Sequence, residues 1–247
     1  MESRIIACVA LAALVAGCEA RPINLVSPDL GLLMDVKQPI SDKTILDAFT
    51  TRPAVKPGAN VGVAYIPCDK RFPLMRTITP EERKAWETAL KDDYFITDVV
   101  ALSSVYAPSA NYRDLRMLRR RAASLNCDLL VVYGVSYDFA RAPNIMAFSY
   151  VTIIGCFIMP GDSIRAGAMA KVALIDVRTG YIYAIVEGTA ERVAAVPVGW
   201  LYSGVPRLLE SAATDAVGKA RQSLIPVMER LRKDAMQITP PPPSTEQ

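Results

Sequence analysis

Asp128-Leu129-Leu130-Val131-Val132-Tyr133-Gly134-Val135 is apolar throughout after its first residue and shows no polar alternation. Such a run forms a strand buried on both faces, as in a sheet covered by helices. What precedes it decides the fold class. Val61-Gly62-Val63-Ala64-Tyr65-Ile66-Pro67 is a second run of this kind, closed by Pro67. Thr79-Pro80-Glu81-Glu82 then carries a helix start: Thr79 as cap, Pro80 at the first helical position and Glu82 completing a capping box. Ala85, Trp86, Ala89 and Leu90 share one face of that helix, with Trp86 as its core anchor. Residues 94–102 (Phe95, Ile96, Val99, Val100) read as the next strand. Asn111 and Asp114 then stand where a cap belongs, ahead of a helix that buries Leu115, Leu118, Ala122 and Leu125. Strand, helix, strand, helix, strand implies right-handed crossovers and parallel pairing.

The parallel order bears on the thiols. Cys68, Cys127 and Cys156 lie beyond Cys18, an odd number that permits at most one internal bridge. Cys68 follows the first strand and Cys127 precedes the third, so parallel strands put them ~20 Å apart at ~3.3 Å per residue. A disulfide needs Cα atoms within ~7 Å, so no Cys68–Cys127 bridge is expected. None of the three has the spacing of a metal knuckle or a redox pair, and buried free thiols are the expected state.

Further along, residues 145–159 (IMAFSYVTIIGCFIM) carry no charge and end at the turn signal Pro160-Gly161. As a helix this run would reach ~22 Å, short of a ~30 Å bilayer core. It reads as an internal strand, or alternatively as an insertion that contacts membrane or another copy of the chain. Residues 171–177 and 181–186 flank Arg178-Thr179-Gly180 as a hairpin, in which Asp176 is expected to bond local backbone N–H groups. Residues 193–205 read as irregular. Pro206 is expected to open a long helix with Leu209, Ala213, Ala216, Ala220, Leu224, Val227 and Leu231 on its buried side, kinked or divided at Pro226. The fold class is therefore α/β: a mixed sheet with a β-α-β-α-β start, a C-terminal β-hairpin and a final long helix. Residues 61–236 form the α/β domain, and 237–247 are a disordered Pro-rich tail.

Composition narrows the chemistry. The chain has no histidine, which removes Ser-His-Asp and Cys-His nucleophile pairs and His-containing zinc sites. No G-x-S-x-G is present, so no catalytic residue, metal ligand or cofactor is assigned and the chain is not expected to be an enzyme. A net charge of +3 and a pI ≈ 8.6 fall short of a nucleic-acid binder's footprint. Arg113, Arg116, Arg119, Arg120 and Arg121 make the second helix strongly basic. A solvated face is the expected reading, with anionic lipid or an acidic partner as the alternative.

At the start of the chain, Met1-Glu2-Ser3-Arg4 precedes an apolar run over residues 5–16, which ends in Val15-Ala16-Gly17-Cys18. This is the layout of a secretory signal, too short for a spanning helix of ~20 residues. The small-small-Cys ending resembles the lipobox of bacterial lipoproteins. That resemblance implies a signal peptide over 1–17, cleavage between Gly17 and Cys18, and acyl chains such as palmitate on Cys18. Glu19 in the following position implies sorting to the outer membrane, with the domain facing the periplasm. Residues 18–60 then form the anchor and a tether, too rich in Pro for a long helix, with short turns at 29–35 and 41–49. Leu25, Leu30, Leu32, Leu33 and Met34 are expected to pack back onto the domain.

Residues 61–67, the helix-to-strand entry Leu125-Asn126-Cys127-Asp128-Leu129-Leu130-Val131, and Leu174-Ile175-Asp176-Val177-Arg178-Thr179-Gly180 carry a second resemblance. Together they look like the α/β domain of envelope lipoproteins related to CsgG, LpoB and the N-terminal domain of TolB. The layout is most similar to the rhombotarget lipoproteins through residues 61–67, 133–138 and 150–155 with Pro160-Gly161. The resemblance covers residues 60–232. It implies a lipid-anchored, non-enzymatic binding or assembly module of the cell envelope, with an envelope protein as partner and self-association as a further possibility. The alternative is an oligomeric export or channel component that uses 145–159 for membrane or subunit contact. CsgG-like channels carry two membrane hairpins, and this chain departs from them in offering one candidate segment.

Overall fold

The computed structural model describes residues 21–30, 55–68, 78–91, 95–102, 115–144, 160–197 and 201–238, the first three of the last range by backbone alone. Gly17, Cys18, Asn111, Asp114, the expected turns at 41–49, the uncharged run 145–159 and the tail after Ile238 lie outside them. So does the expected turn at 29–35 beyond Leu30.

Among the described residues eight elements follow in chain order: β1 (Ala59–Pro67), α1 (Pro80–Leu90), β2 (Ile96–Ala101), α2 (Leu115–Ser124), β3 (Leu129–Pro143), β4 (Asp162–Asp176), β5 (Ile182–Val196) and α3 (Leu201–Ile238). The strands form one five-stranded sheet in the order β2-β1-β3-β4-β5. β1 pairs parallel with β2 and with β3, Val61 lying opposite Leu129 and Pro67 opposite Val135. β3 and β4 run antiparallel, because Val177 N–H donates to Asp128 O at one end and Asn144 N–H to Gly161 O at the other. The sheet is thus mixed, parallel where helices cross over and antiparallel where the chain turns directly back.

The chain divides into two compact units that share these strands: residues 27–135, 170–188 and 217–247 in one, and residues 1–26, 136–169 and 189–216 in the other. The first holds β1, β2, α1 and α2. Ala64, Ile66, Leu130, Val132, Ala173 and Ile175 point to one face, where Leu118 and Ala122 of α2 and Leu30 close the core. Tyr65 and Tyr133 alternate with these residues and point to the other face. There Trp86 of α1 packs against Tyr133 with ring centroids 5.5 Å apart, and the Arg221 guanidinium of α3 lies 5.6 Å above the Trp86 ring. Trp86 is fully buried, the core anchor expected of it. At the start of α1, Thr79 Oγ1 accepts from Glu82 N–H at 3.2 Å.

In the other unit β3 and β4 continue well past the apolar runs. Tyr137, Asp138 and Ala140 of β3 are buried, as are Asp162, Ile164, Ala166 and Ala168 of β4. Arg141 holds Asp162 through two bonds of 2.8 and 2.9 Å. Leu209, Ala212, Ala213 and Ala216 form the buried side of α3 here.

Several elements therefore exceed their sequence limits. β3 runs to Pro143 rather than Val135, and β4 and β5 have 15 residues each rather than six or seven. Residues 193–196, expected to be irregular, belong to β5, and α3 begins at Leu201 rather than Pro206. Pro226 does not divide α3, which is one helix of 38 residues. The remaining ladder on both sides carries the missing bond, at a cost of ~3 kcal/mol. Beyond Pro226, Met228 and Ala235 are buried, and Val227 and Leu231 are half-buried.

Candidate functional site

Gly17 and Cys18 precede the described residues, which begin three positions later with a strap, residues 21–30. The strap has no secondary structure of its own and is held by side chains of the sheet. In the unit that contains the far half of β3, Asn24 N–H donates to Asp138 Oδ2 at 2.7 Å, and Ser136 Oγ donates to Val26 O. Arg21 approaches the same Asp138 oxygen at 3.9 Å. Gly167 makes room for the strap: a Cβ there would meet Ile23 Cγ2 at 2.8 Å and Leu25 Cδ2 at 3.2 Å. In the other unit Ser27 Oγ donates to Glu187 Oε1 at 2.6 Å, and Lys171 Nζ donates to Ser27 Oγ at 3.1 Å. Cys68 Sγ donates to Asp29 O at 3.2 Å, and Leu30 is buried over Gly134. The start of the expected tether is thus a docked segment. Of the apolar residues expected to pack back, Leu30 is buried and Leu25 half-buried, while Leu32, Leu33 and Met34 lie outside the described residues.

The second feature is a surface cavity of about 330 Å³ lined by Ala123, Asn126, Cys127, Asp128, Val177 and Arg178. It forms where α2 ends and β3 begins. Asn126 takes a left-handed conformation (φ 55°), and the bonds Asn126 N–H to Ala123 O and Cys127 N–H to Ala122 O close the helix as a Schellman motif. Asp128 accepts from Arg178 at 3.0 Å and from Asn60 N–H at 3.4 Å. Arg119 reaches over from α2 and donates to Val177 O at 3.0 Å and Arg178 O at 2.7 Å. Among the basic residues expected on a solvated face, Arg119 is therefore the clamp of the β4–β5 turn. The spacing of arginines on α2 gave no signal for this, because the carbonyls lie 58 and 59 residues away.

Asp176 occupies the turn itself. Its Oδ1 accepts from the N–H groups of Arg178 and Thr179 at 2.9 and 3.0 Å, and its Oδ2 accepts from the Tyr183 hydroxyl at 3.0 Å. Gly180 supplies the positive φ of 77° that lets the chain return. Both carboxylate oxygens serve the fold, as expected for an Asp beside a turn. Cys127 does not offer a nucleophile either. Burial, with Asp128 and Asp98 adding to it, pushes its thiol up to about 11, so it is protonated at neutral pH. What the cavity offers chemically is a small recess of mixed polar and apolar lining beside an exposed, carboxylate-paired Arg178.

No protein-family model matches the chain, and no curated protein sequence matches it. Among solved structures it is similar to PelC, a dodecamer from Paraburkholderia phytofirmans, at 16% identity over 72% of this chain and 92% of that one, with a TM-score of 0.30. It is also similar to lipoprotein GNA1162 from Neisseria meningitidis, at 12% identity over 62% of this chain and 99% of that one, with a TM-score of 0.32.

Proposed function

We propose that the chain is a lipid-anchored binding or assembly module of the bacterial cell envelope, non-enzymatic, held at the outer membrane through Cys18 and facing the periplasm. One observation carries this reading: Val15-Ala16-Gly17-Cys18 closes a short apolar run behind a head with one Arg. Glu19 supports the outer membrane as destination. The resemblance to lipoproteins related to CsgG, LpoB and TolB supports a docking role, and Asp176 at the β4–β5 turn fits the Asp of their hairpin. The absence of histidine, the protonated Cys127 thiol and the fully engaged Asp176 carboxylate support work without catalysis. The domain limits follow from the same reading: signal peptide 1–17, anchor and tether 18–60, α/β domain 61–236 and disordered tail 237–247. A single acyl chain anchors marginally, so stable residence requires more than one on Cys18. The test is Cys18→Ser. Loss of the protein from the carbonate-washed membrane fraction, or accumulation of the unprocessed precursor, is expected; a processed protein still retained there would overturn the reading.

A second reading is an oligomeric export or channel component that uses residues 145–159. One observation favours it: Asn144 N–H and Nδ2 bond Gly161 O and Pro160 O at 2.8 and 2.6 Å, so both ends of the uncharged run are fixed at one point of the sheet. Light scattering of the detergent-solubilised protein that shows a discrete ring, lost with Ile153→Asp/Ile154→Asp, would support it. A monomer or dimer would leave the accessory module.

A further inference from the structure

We infer that the Asn144–Gly161 end of the β3–β4 pair faces the lipid surface and is held against it by a leash of a few residues. The inference rests on acylation of Cys18 and adds the orientation of the unit that contains this end. The strap has a direction. Val26 is bonded by Ser136 and Asn24 by Asp138, so the strap runs antiparallel to β3, and its N-terminal side points toward Pro143. Ile23 and Leu25 over Gly167 of β4 fix it at the same level from the neighbouring strand.

The lengths then decide where the anchor can be. Cys18 is six residues before Asn24, which at most ~3.5 Å each gives a reach of ~21 Å. Asn144 is six residues beyond Asp138, ~20 Å at the rise of a strand. An acylated Cys18 is therefore held within ~21 Å of Asn24, and along the strap's own direction that limit lies level with Asn144. The short leash keeps the bilayer surface within that distance, and the strap's direction makes the pair end the part of this unit nearest to it. A long tether, by contrast, would leave the orientation free.

The experiment uses the full lipidated protein in vesicles of phosphatidylethanolamine and phosphatidylglycerol. Pro143→Cys, in a background of Cys68→Ser, Cys127→Ala and Cys156→Ser, carries an environment-sensitive fluorophore, and nitroxide lipids labelled near the headgroup act as quencher. Strong loss of fluorescence is expected at Pro143, and a weaker loss for Phe139→Cys, an exposed position ~13 Å earlier on the strand. A flexible twenty-residue Gly-Ser insert between Ala20 and Arg21 spans ~25 Å on average and should remove the quenching while the protein stays membrane-bound. Equal or absent quenching at the two positions, with acyl chains present in the intact mass, overturns the inference and leaves the anchor reading standing. Quenching unchanged by the insert overturns the leash. An intact mass without acyl chains overturns the anchor reading itself. Circular-dichroism melting of each variant must match the parent background, and Ser163→Cys provides a second probe at the same end should Pro143→Cys fail to fold.

Discussion

The backbone N–H of Asn24 donates to Asp138 Oδ2 at 2.7 Å across 114 residues of sequence, and Asp138 is itself buried. A charged acceptor in a buried place makes this bond stronger than an ordinary one, worth ~1.5–3 kcal/mol. Asp138→Ala should therefore lower stability by about that amount. It should also speed hydrogen exchange at residues 21–26 ahead of the rest of the chain, since Ser136 alone cannot hold the strap. Asp138→Asn keeps an acceptor oxygen and should lose less. Exchange at the strap that is unchanged in Asp138→Ala would show that Ile23 and Leu25 over Gly167 are sufficient.

Asp176 accepts three hydrogen bonds within seven residues of itself. Asp176→Ala leaves the Arg178 and Thr179 N–H groups without their acceptor and should cost ~2–4 kcal/mol, from the unmade bonds and the buried site. Tyr183→Phe removes one of the three and should cost ~1 kcal/mol. In a double-mutant cycle by urea unfolding, the Tyr183→Phe cost should vanish in the Asp176→Ala background. A cost that persists there would place the Tyr183 hydroxyl with another partner.

The β-α-β-α-β start was legible because its residues state it locally. Residues 61–66 and 129–135 are apolar runs buried on both faces, and Thr79-Pro80 caps its helix with neighbouring atoms. The far halves of β3 and β4 were not. Ser136, Asp138 and Arg141 interrupt the apolar run, yet Ser136 and Asp138 bond the strap and Arg141 bonds Asp162. Ala166, Gly167, Ala168 and Ala170 have little strand preference of their own, and Gly167 is small because Ile23 and Leu25 lie on it. In each case the partner is distant in sequence, so no window of neighbouring residues contains the reason. Arg119 is the same case among the site residues, and the strap itself was read from its prolines without its partners.

Gly62 and Gly134 sit in strands where a glycine weakens the ladder, and each answers to a neighbour. A Cβ on Gly134 would meet Cys68 Sγ, Leu30 Cδ2 at 2.9 Å and the Ile66 carbonyl oxygen at 3.1 Å. A Cβ on Gly62 would meet Leu102 Cδ1 at 2.9 Å and Cys127 Sγ at 3.4 Å, the nearer atom being the tip of a side chain that can turn. Gly134→Ala should thus destabilise by ~1–3 kcal/mol and Gly62→Ala by clearly less. Thermal unfolding orders the two, and the reverse order would mean that Leu30 and Cys68 yield more readily than Leu102. Cys68→Gly should recover part of the Gly134→Ala loss, since it removes one of the three obstacles.

Cys127 gives the fold a dependence on alkaline pH. Its thiol rises from 9.0 to about 11, first because burial penalises the thiolate and then because Asp128 and Asp98 are negative. Between these values the unfolded chain has lost the proton and the folded chain still holds it. The folded state therefore binds more protons, and stability falls with pH across this window. The contribution is fully present below pH 9 and is lost as pH rises through about 11. Cys127→Ala removes the titrating group, so its urea midpoint should fall less steeply between pH 9 and pH 11 than that of the parent. Parallel slopes would assign the alkaline loss to other groups. The same protection should appear as chemistry: iodoacetamide at pH 8 should modify Cys127 far more slowly in the folded chain than in urea, because the thiolate that reacts is scarce and covered.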